Sequence, residues 1–472
     1  MLPFSGSLNR VAVRDLPWEA VSTRLAGWAG HRRAAGLLSD GGVLGRYSYF
    51  MAEPDAVAVL DHNDAHDPGT FLRAATAFVG DERHDDLPPF SGGLIGMASF
   101  ELGLRLENMK RRPFRIEGRK VWPELVVMRF PAVLAFDHAA RHLVAIGRGD
   151  SEAAAQAALD RLVALYEQTP ASAPVVGGLA DGPIDVETPD GVHEDKVAAL
   201  VRQIHAGDLF QANLARGWTG RLRADVTPGD LVAALHGRGP APFGGFVRFD
   251  DRAVVSNSPE RFIRLDGDMM ETRPIKGTRA RGRTPDEDAA LGVELLASAK
   301  DRAENLMIVD LMRHDLSKVA EVGSVQVTAL HALESYPNVH HLVSTVTGRL
   351  AAGRTAADVL LATFPPGSIS GAPKVQAMKV ITEMEAARGP YCGSLFYVDA
   401  GGGMDSNVLI RTLALELDDG GRWHFRAAAG GGIVADSEPV AERVETETKL
   451  SLIKAVLLRG LGPAAPSLSF TP

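Results

Sequence analysis

The pattern of hydrophobic and polar positions changes near residue 170. Before it, apolar and polar stretches mix irregularly, and the clearest predicted helix is 153–168. The segment 169–183 is rich in Pro, Gly and Ala without periodicity, which is typical of a linker or long loop. Beyond it, four apolar residues between 197 and 204 share one face of a helix predicted to stop at Gly207. We therefore divide the chain there.

Strand-like and helix-like segments form separate groups in the second part of the chain. Strands are predicted at 209–222, 243–249, 253–259, 393–398, 407–417 and 422–429, with a hairpin at Asp266-Gly267 that leads into 269–278. Helices are predicted at 286–314, at 371–388 and from about Asp436. This grouping favours antiparallel sheets flanked by helices, an α+β or mixed α/β fold. The predicted regions are 1–168, a linker or loop at 169–189, a domain at 190–460 and a tail at 461–472.

Composition narrows the class of protein. The chain has 472 residues, of which 45% are hydrophobic and 23% charged, as in ordinary globular proteins. A formal charge of -9 argues against non-specific binding to nucleic acid or to an anionic membrane. The single cysteine, Cys392, excludes an internal disulfide, and no apolar run is long enough to span a membrane. We expect a cytoplasmic protein that builds a local positive site for any anionic substrate.

Two pairs of acids lie on predicted helices. Asp301 and Glu304 are three residues apart, as are Glu442 and Glu445, and Lys449 follows Glu445 by four. Each set therefore lies on one helical face. One interpretation is a solvated face with i,i+4 ion pairs. The other is a Mg²⁺ site, which needs only one or two carboxylates from each side and oxygens from an anionic substrate. Periodicity alone leaves both open.

Two glycine-bearing segments are candidate anion sites. Residues 364–374 lead into a predicted helix, and residues 427–437 form a predicted loop between a strand and the last helix. Free N–H groups at a helix start can bind a carboxylate or phosphate. Neither segment has the Gly-Lys-Ser/Thr ending of a P-loop, and glycine loops are also common punctuation.

Lys276 lies in the segment "RPIKGTRARG", near three arginines at 273, 279 and 281. Glu260 precedes it by sixteen residues, across the predicted hairpin, which could pair an acid with an amine. A lysine attacks carbon only after losing its proton, which takes burial or nearby positive charge. Glu260 could equally cap a turn after Pro259, and Lys276 could be one more charge in a loop.

Together these segments resemble one family, the chorismate-utilising enzymes, and among them the component I chains of aminodeoxychorismate synthases. The motifs that carry the resemblance are "GDLFQANLAR", "SPERF", "RPIKGTRARG", "ENLMIVDLMRHDLSKV", "VHHLVSTVTG", "FPPGSISGAPK", "GPYCGS", "NVLIRT", "GGGIVADSEP" and "ERVETETK". They run in order through residues 190–460, which the resemblance makes the chorismate-binding catalytic domain. Residues 1–168 look like the family's more variable N-terminal region, with "GRYSYFMAEP" as its most recognisable piece.

The resemblance implies a fold and a site. The implied fold is two large antiparallel β-sheets packed as a sandwich with helices outside, as in component I of anthranilate synthase. The implied metal is Mg²⁺, held by Glu304 and Glu445 with Asp301 and Glu442 beside them. The implied substrate-binding residues are Gln211, Thr278, His341, Ser368, Tyr391, Arg411, Gly430, Gly431 and Gly432.

Two positions bear on the subfamily. Members that add water to chorismate carry a lysine base where this chain has Gln211, and an amide cannot take a proton from water. Anthranilate synthases, the alternative reading, usually have alanine at the position of Lys276. The implied reaction is covalent: Glu260 protonates the departing C4 hydroxyl of chorismate while Lys276 attacks C2, and ammonia then attacks C4 and expels the lysine.

The implied product, 4-amino-4-deoxychorismate, belongs to para-aminobenzoate and folate biosynthesis. The expected partner is a glutamine amidotransferase subunit, component II, which supplies ammonia. Cys392 lies inside a synthase motif and not in a glutaminase turn. A further segment, "LLSD" at 37–40, differs at its last two positions from the family's "LLES"-like tryptophan segment. This difference argues against feedback control by tryptophan.

Overall fold

The computed structural model describes residues 4, 6–80, 84–173, 175–336 and 339–459. Its strands are β1 Arg10–Leu16, β2 Arg33–Leu38, β3 Tyr47–Ala52, β4 Ala56–Leu60, β5 Gly93–Ala98, β6 Leu125–Phe130, β7 Ala132–Asp137, β8 His142–Gly149, β9 Asp185–Val186, β10 Gln211–Arg221, β11 Phe243–Phe249, β12 Arg252–Ser258, β13 Arg261–Asp266, β14 Met269–Thr272, β15 Ile275–Ala280, β16 Gln326–Ser335, β17 Val339–Arg349, β18 Gly371–Ala372, β19 Ser394–Asp399, β20 Met404–Asn407, β21 Thr412–Leu417 and β22 Trp423–Ile433. Its α-helices are α1 Leu25–Ala29, α2 Pro68–Ala75, α3 Phe100–Leu106, α4 Glu152–Gln168, α5 Asp190–His205, α6 Pro228–Arg238, α7 Pro285–Ala297, α8 Ala299–Ser317, α9 Ala356–Thr363, α10 Lys374–Met384 and α11 Pro439–Arg459. Short 3₁₀ helices lie at Val21–Thr23 and Gly367–Ile369.

The strands form two large antiparallel sheets. The first has the order β1-β8-β7-β3-β2-β11-β12-β21-β22-β10-β18, with β9 beside β10. The second has the order β15-β17-β14-β13-β20-β19-β5-β6-β4, with β16 beside β17. The fold predicted from the sequence, two antiparallel sheets with flanking helices, is confirmed.

Alternating side chains explain how the sheets make a sandwich. In β5, Ile95 and Met97 point into a core shared with the first sheet, whereas Leu94 and Ala98 point into a core formed with helices. The same alternation occurs in β7, where Val133 packs between the sheets. Both faces of β5 and of β7 are thus buried, one against the other sheet and one against helices.

Both sheets run across the boundary predicted near residue 170. In the first sheet Leu38 of β2 pairs with Gly244 of β11, and in the second Ile95 of β5 pairs with Tyr397 of β19. Regions 1–168 and 190–460 therefore share both sheets and a core. The division of the chain at 169–189 stays a prediction about sequence regions.

Helix α4 matches its prediction, and three other predicted elements differ in their bounds. The helix predicted at 286–314 is two helices, because Ser298 is extended and its hydroxyl accepts a hydrogen bond from the Asp301 N–H at the start of α8. The helix predicted at 371–388 is shortened to α10, since its first residues pair with β10 and Glu385 is extended. The strand predicted at 407–417 is interrupted before β21 by Arg411, whose φ is +50°.

None of the described helices combines the length and the apolar character that crossing a bilayer requires.

Candidate active site

Lys276 stands at a bulge in β15. Ile275 pairs with Val343 of β17 and Thr278 pairs with His341, so β15 has one residue more than its partner over this interval. Gly277 takes a φ of +79°, which a glycine adopts without strain. A side chain there is also excluded, because a Cβ on Gly277 would lie 2.9 Å from Cβ of Asp301. The bulge therefore interrupts the strand beside Lys276 and brings the backbone against α8.

Burial lowers the pKa of the half-buried Lys276, while the negative charge of Glu304 opposes the shift and the positive charge of Lys449 reinforces it. The neighbouring arginines are paired with acids elsewhere: Arg273 with Glu334, Arg279 with Glu294 and Asp301, and Arg281 with Asp288. The charge that helps Lys276 lose its proton thus comes from α11. The arginines of the sequence motif are not among the main causes of the shift.

Gly430, Gly431 and Gly432 lie in strand β22, so the loop predicted at 427–437 begins only after Ile433. They pair with Ala215, Leu214 and Asn213 of β10, and none has a positive φ. Glycine is needed here because other side chains come very close to the backbone. A Cβ on Gly431 would lie 2.6 Å from Oε2 of Glu442, and one on Gly432 would lie 2.4 Å from Nε2 of Gln211 and 3.3 Å from Nζ of Lys276.

These distances bring four side chains to one end of β22. Gln211 opens β10, Lys276 comes from β15 of the other sheet, and Glu442 and Glu445 come from α11. Oε1 of Glu445 is 3.7 Å from the Cβ position on Gly431. The missing glycine side chains therefore keep open the space in which residues from both sheets and a helix meet.

Gln211 is fully buried, and neither its amide oxygen nor its amide nitrogen has a hydrogen-bond partner among the described residues. An amide buried without partners is costly in a folded protein. A ligand that both donates and accepts hydrogen bonds would relieve this cost. The substrate-binding role that the resemblance implies for Gln211 stays a prediction, for which these two unpaired atoms are suited.

Glu260 lies between β12 and β13 and is 7% exposed. Burial raises the pKa of its carboxyl, while a hydrogen bond from Ser368 and the positive charges of Lys276 and Lys449 act in the opposite direction. The carboxyl is therefore biased toward the protonated form that a general acid needs. The contact that is described for this carboxyl is with Ser368, and a capping role in the turn after Pro259 stays the alternative.

The predicted metal ligands come from α8 and α11. Burial raises the pKa of Glu304. The positive charges of Lys276 and Lys300 lower this pKa, and the negative charges of Asp301 and Glu445 raise it. Burial likewise raises the pKa of Glu442, whose Oε1 accepts a hydrogen bond of 2.6 Å from Ser437. Glu304 and Glu442 thus both feel the negative charge of Glu445.

No cluster of three or more His, Cys, Asp or Glu side chains with the geometry of a metal site occurs within the described ranges. Glu445 instead pairs with Lys449 at 2.5 Å, and Lys449 also donates to the carbonyl oxygen of Gly430. Asp301 pairs with Arg279. The i,i+4 ion pair considered from sequence therefore exists on α11. Oε2 of Glu442, buried and without a hydrogen-bond partner in the part of the chain that is described, is the atom that a cation would satisfy.

Two further predicted residues, Thr278 and His341, lie on the paired strands β15 and β17. The Thr278 hydroxyl and Nδ1 of His341 are 2.9 Å apart. Burial lowers the pKa of His341 to about 4, and the charge of Arg411 acts in the same direction, so the imidazole is neutral at pH 7. The Arg411 side chain is exposed and forms no ion pair with any described residue, which leaves it available to an anion. Tyr391 is buried, and burial raises the pKa of its hydroxyl well above the usual value.

A separate cavity of about 450 Å³ lies between the sheets. Leu37 and Leu38 of "LLSD" line it, together with Tyr49, Phe243 and Arg273. It includes none of the predicted catalytic, metal or substrate-binding residues.

Comparison with known proteins decides the family. The family model described as "chorismate binding enzyme" matches residues 37–455. The chain belongs to the chorismate-binding enzyme family. Component 1 of aminodeoxychorismate synthase from Klebsiella aerogenes is 41% identical, over 86% of this chain and 89% of that relative. Component 1 of anthranilate synthase from Thermus thermophilus is 39% identical, over 81% of each chain.

Solved structures agree on the architecture. The crystal structure of anthranilate synthase component I from Streptococcus pneumoniae TIGR4 matches with a TM-score of 0.74 and 28% identity, covering 88% of this chain and 93% of that one. The family resemblance drawn from the motifs is thereby confirmed, and with it the reading of the chain as a chorismate-binding enzyme.

Two features of this family member were missed in the sequence. From the sequence Lys449 is only an ion-pair partner, whereas in the structure its charge acts on both Lys276 and Glu260. Its spacing from Glu445 was the available signal. Arg388, immediately before the "GPYCGS" motif, is a buried arginine that contacts several site segments. An arginine with apolar neighbours in sequence gives no local sign of such a role.

Proposed function

We propose that this protein is component I of an aminodeoxychorismate synthase, which converts chorismate and ammonia into 4-amino-4-deoxychorismate. One observation carries the proposal: Lys276, with a lowered pKa, meets the unpartnered amide of Gln211 at the glycine end of β22. Membership of the chorismate-binding enzyme family supports chorismate as the ligand of this site. Relatives named aminodeoxychorismate synthase component 1 add support.

The residues divide the work of the first step. Nζ of Lys276 forms a bond to C2 of chorismate, the ring double bonds shift, and the C4–O bond breaks. Glu260, kept protonated by burial, gives its proton to the departing hydroxyl, which leaves as water. Ammonia then attacks C4, the double bonds shift back, and the C2–N bond to Lys276 breaks. The enolpyruvyl group stays on the product.

Other residues bind the substrate in this proposal. Arg411, which forms no ion pair within the described part of the chain, and the Tyr391 hydroxyl are suited to carboxylate oxygens of chorismate. Thr278 and neutral His341 form a hydrogen-bonded pair at the β15–β17 edge. The Gln211 amide, which cannot act as a base, orients groups on the substrate or the incoming ammonia without activating water.

We further propose that Mg²⁺ is held by Glu304 and Glu445, with Glu442 and Asp301 beside them. The donor set fits a hard cation, since these carboxylates repel one another and Oε2 of Glu442 has no partner among the described residues. When bound, Mg²⁺ would neutralise charge at the substrate's ring carboxylate. Lys449 would then have to release Glu445, with which it pairs in this structure.

Ammonia is proposed to come from a glutamine amidotransferase subunit or from free ammonium. Burial raises the pKa of Cys392 to about 12, so this thiol is a poor nucleophile for glutamine hydrolysis. A place in para-aminobenzoate and folate biosynthesis follows from the proposed product, and a cytoplasmic location stays a prediction.

The second candidate is component I of an anthranilate synthase, favoured by relatives of that name such as the Thermus thermophilus chain at 39% identity. Product identification separates the two. Purified protein with chorismate, Mg²⁺ and ammonium should form aminodeoxychorismate, identified by mass spectrometry. Anthranilate and pyruvate as the main products would establish the second candidate instead.

A further inference from the structure

Three segments of the site meet at one buried guanidinium, that of Arg388, which is 2% exposed. It donates hydrogen bonds of 3.1 Å to the carbonyl oxygen of Ile369 and of 2.9 Å to that of Asn213. Ile369 follows Ser368, and Asn213 lies two residues after Gln211. The guanidinium carbon also lies 5.8 Å from the centroid of the Tyr391 ring. One side chain thus connects the segments that carry Ser368, Gln211 and Tyr391.

The charge of Arg388 is paired within this arrangement. Glu385 accepts hydrogen bonds of 2.8 and 2.9 Å from the guanidinium, and its Oε1 also accepts one of 2.7 Å from the Ala215 N–H on β10. A planar guanidinium with this many fixed acceptors holds one orientation, which a lysine ammonium cannot reproduce. The geometry is therefore specific to arginine.

The backbone of Arg388 is fixed from the N-terminal region by Glu101 of α3. The Glu101 carboxylate accepts hydrogen bonds of 2.7 Å from the Arg388 N–H and of 2.9 Å from the Gly389 N–H. The Phe100 N–H donates to the Gly389 carbonyl oxygen at 2.8 Å, and the Phe100 ring lies 4.7 Å from the guanidinium carbon. Gly389 has a φ of +63°, so the chain turns sharply there toward Tyr391.

We propose that Arg388 is a positioning residue for the chorismate site and that Glu101 holds it in place from the N-terminal region. Neither side chain touches the reacting atoms; both act through Ser368, Gln211 and Tyr391. The inference rests on the proposed function, because those three residues are substrate contacts only if chorismate binds there. It gives residues 1–168 a direct part in the site beyond completing the sheets.

The test compares Glu101→Gln with Glu416→Gln. Glu416 is an equally buried carboxylate that accepts two N–H groups, from the Trp122 ring at 3.0 Å and from Lys120 at 3.2 Å, away from the site. Each substitution replaces one acceptor oxygen by an NH₂ group. Both variants should therefore lose similar thermal stability. Only Glu101→Gln is expected to weaken chorismate binding, by roughly tenfold in the Kd measured by calorimetry with Mg²⁺.

Arg388→Lys provides a second measurement if Glu101→Gln does not fold. Lysine keeps the positive charge but lacks the planar set of N–H donors of the guanidinium. KM for chorismate should therefore rise roughly tenfold while the product stays the same. Equal chorismate affinity in Glu101→Gln and Glu416→Gln, or an unchanged KM in Arg388→Lys, would overturn the positioning role and leave the proposed function standing. Wild-type protein that binds no chorismate would instead remove the proposed function, and this inference with it.

Discussion

Two regions around Lys276 use their polar groups in opposite ways. In the segment 273–281 every arginine is paired with an acid: Arg273 with Glu334, Arg279 with Glu294 and Asp301, and Arg281 with Asp288. Around the glycines of β22, the amide of Gln211 and Oε2 of Glu442 are buried with no hydrogen-bond partner among the described residues. The charged residues that cluster in the sequence thus form a network of ion pairs. The buried polar atoms without hydrogen-bond partners lie at the candidate site instead.

Removing the lysine amine is expected to have the largest effect. In Lys276→Ala the proposed nucleophile is gone, so the rate of aminodeoxychorismate formation should fall by about 10³-fold or more. The measurement is product formation with saturating chorismate, Mg²⁺ and ammonium. A rate within a few-fold of wild type, with the same product, would take Lys276 out of the mechanism.

Filling the space at the end of β22 should be the next most damaging change. A methyl group on Gly432 would lie 2.4 Å from Nε2 of Gln211, so Gly432→Ala should lower kcat/KM by about 10²-fold through displaced side chains. Gly237→Ala is the matched control, since Gly237 lies in α6 with no atom within 4 Å of its Cβ position. That control should keep full activity and gain about 0.5–1 kcal/mol in the free energy of unfolding. Equal activity in the two variants would contradict the close approach.

The dependence of activity on pH tests the protonation states of Lys276 and Glu260. Lys276 must be unprotonated and its pKa lies below 10.5, while Glu260 must be protonated and its pKa lies above 4.5. Activity is therefore lost at low pH as Lys276 gains a proton and at high pH as Glu260 loses one. The profile of kcat/KM should be bell-shaped with both breakpoints between these values. In Glu260→Gln the residual activity should no longer fall at high pH. If it still falls, another group causes the loss of activity at high pH.

Disrupting one of the paired arginines should have the smallest effect. The Arg273–Glu334 pair is only partly buried, so Arg273→Gln should cost about 1 kcal/mol or less in the free energy of unfolding and change kcat/KM by no more than about twofold. Urea unfolding and steady-state kinetics measure the two quantities. A loss of activity comparable to that of Gly432→Ala would mean that the arginines act on Lys276 after all.

Much of the secondary structure can be predicted from the sequence, because the hydrophobic periodicity of a helix or strand is contained in its own residues. Helix α4 and strands β10 and β11 lie where their patterns placed them. The sequence predicts a loop at the glycines 430–432. Glycine is common in turns, but it also occurs in a strand where neighbouring side chains leave no room for a Cβ, and composition does not distinguish the two cases. The break at Ser298 was missed because a single cap residue hardly alters the helical periodicity.

The candidate site can be proposed from the resemblance, but its physical basis is only partly visible in the sequence. Motifs identified Lys276 and Glu260, but their burial depends on contacts that no local pattern contains. The contribution of Lys449 to the lowered pKa of Lys276 joins positions 173 residues apart in sequence. The Glu101–Arg388 contact joins positions 287 apart. Such pairs become visible only once both sheets and α11 are assembled.

The proposed mechanism depends above all on a covalent bond between Lys276 and the substrate. Protein incubated with chorismate and Mg²⁺ in the absence of ammonia, then analysed by intact and peptide mass spectrometry, tests it most directly. We expect a gain in mass equal to chorismate less one water, mapped to Lys276 and lost when ammonium is added. Product formation from ammonium with no adduct on Lys276 in the ammonia-free sample would contradict it.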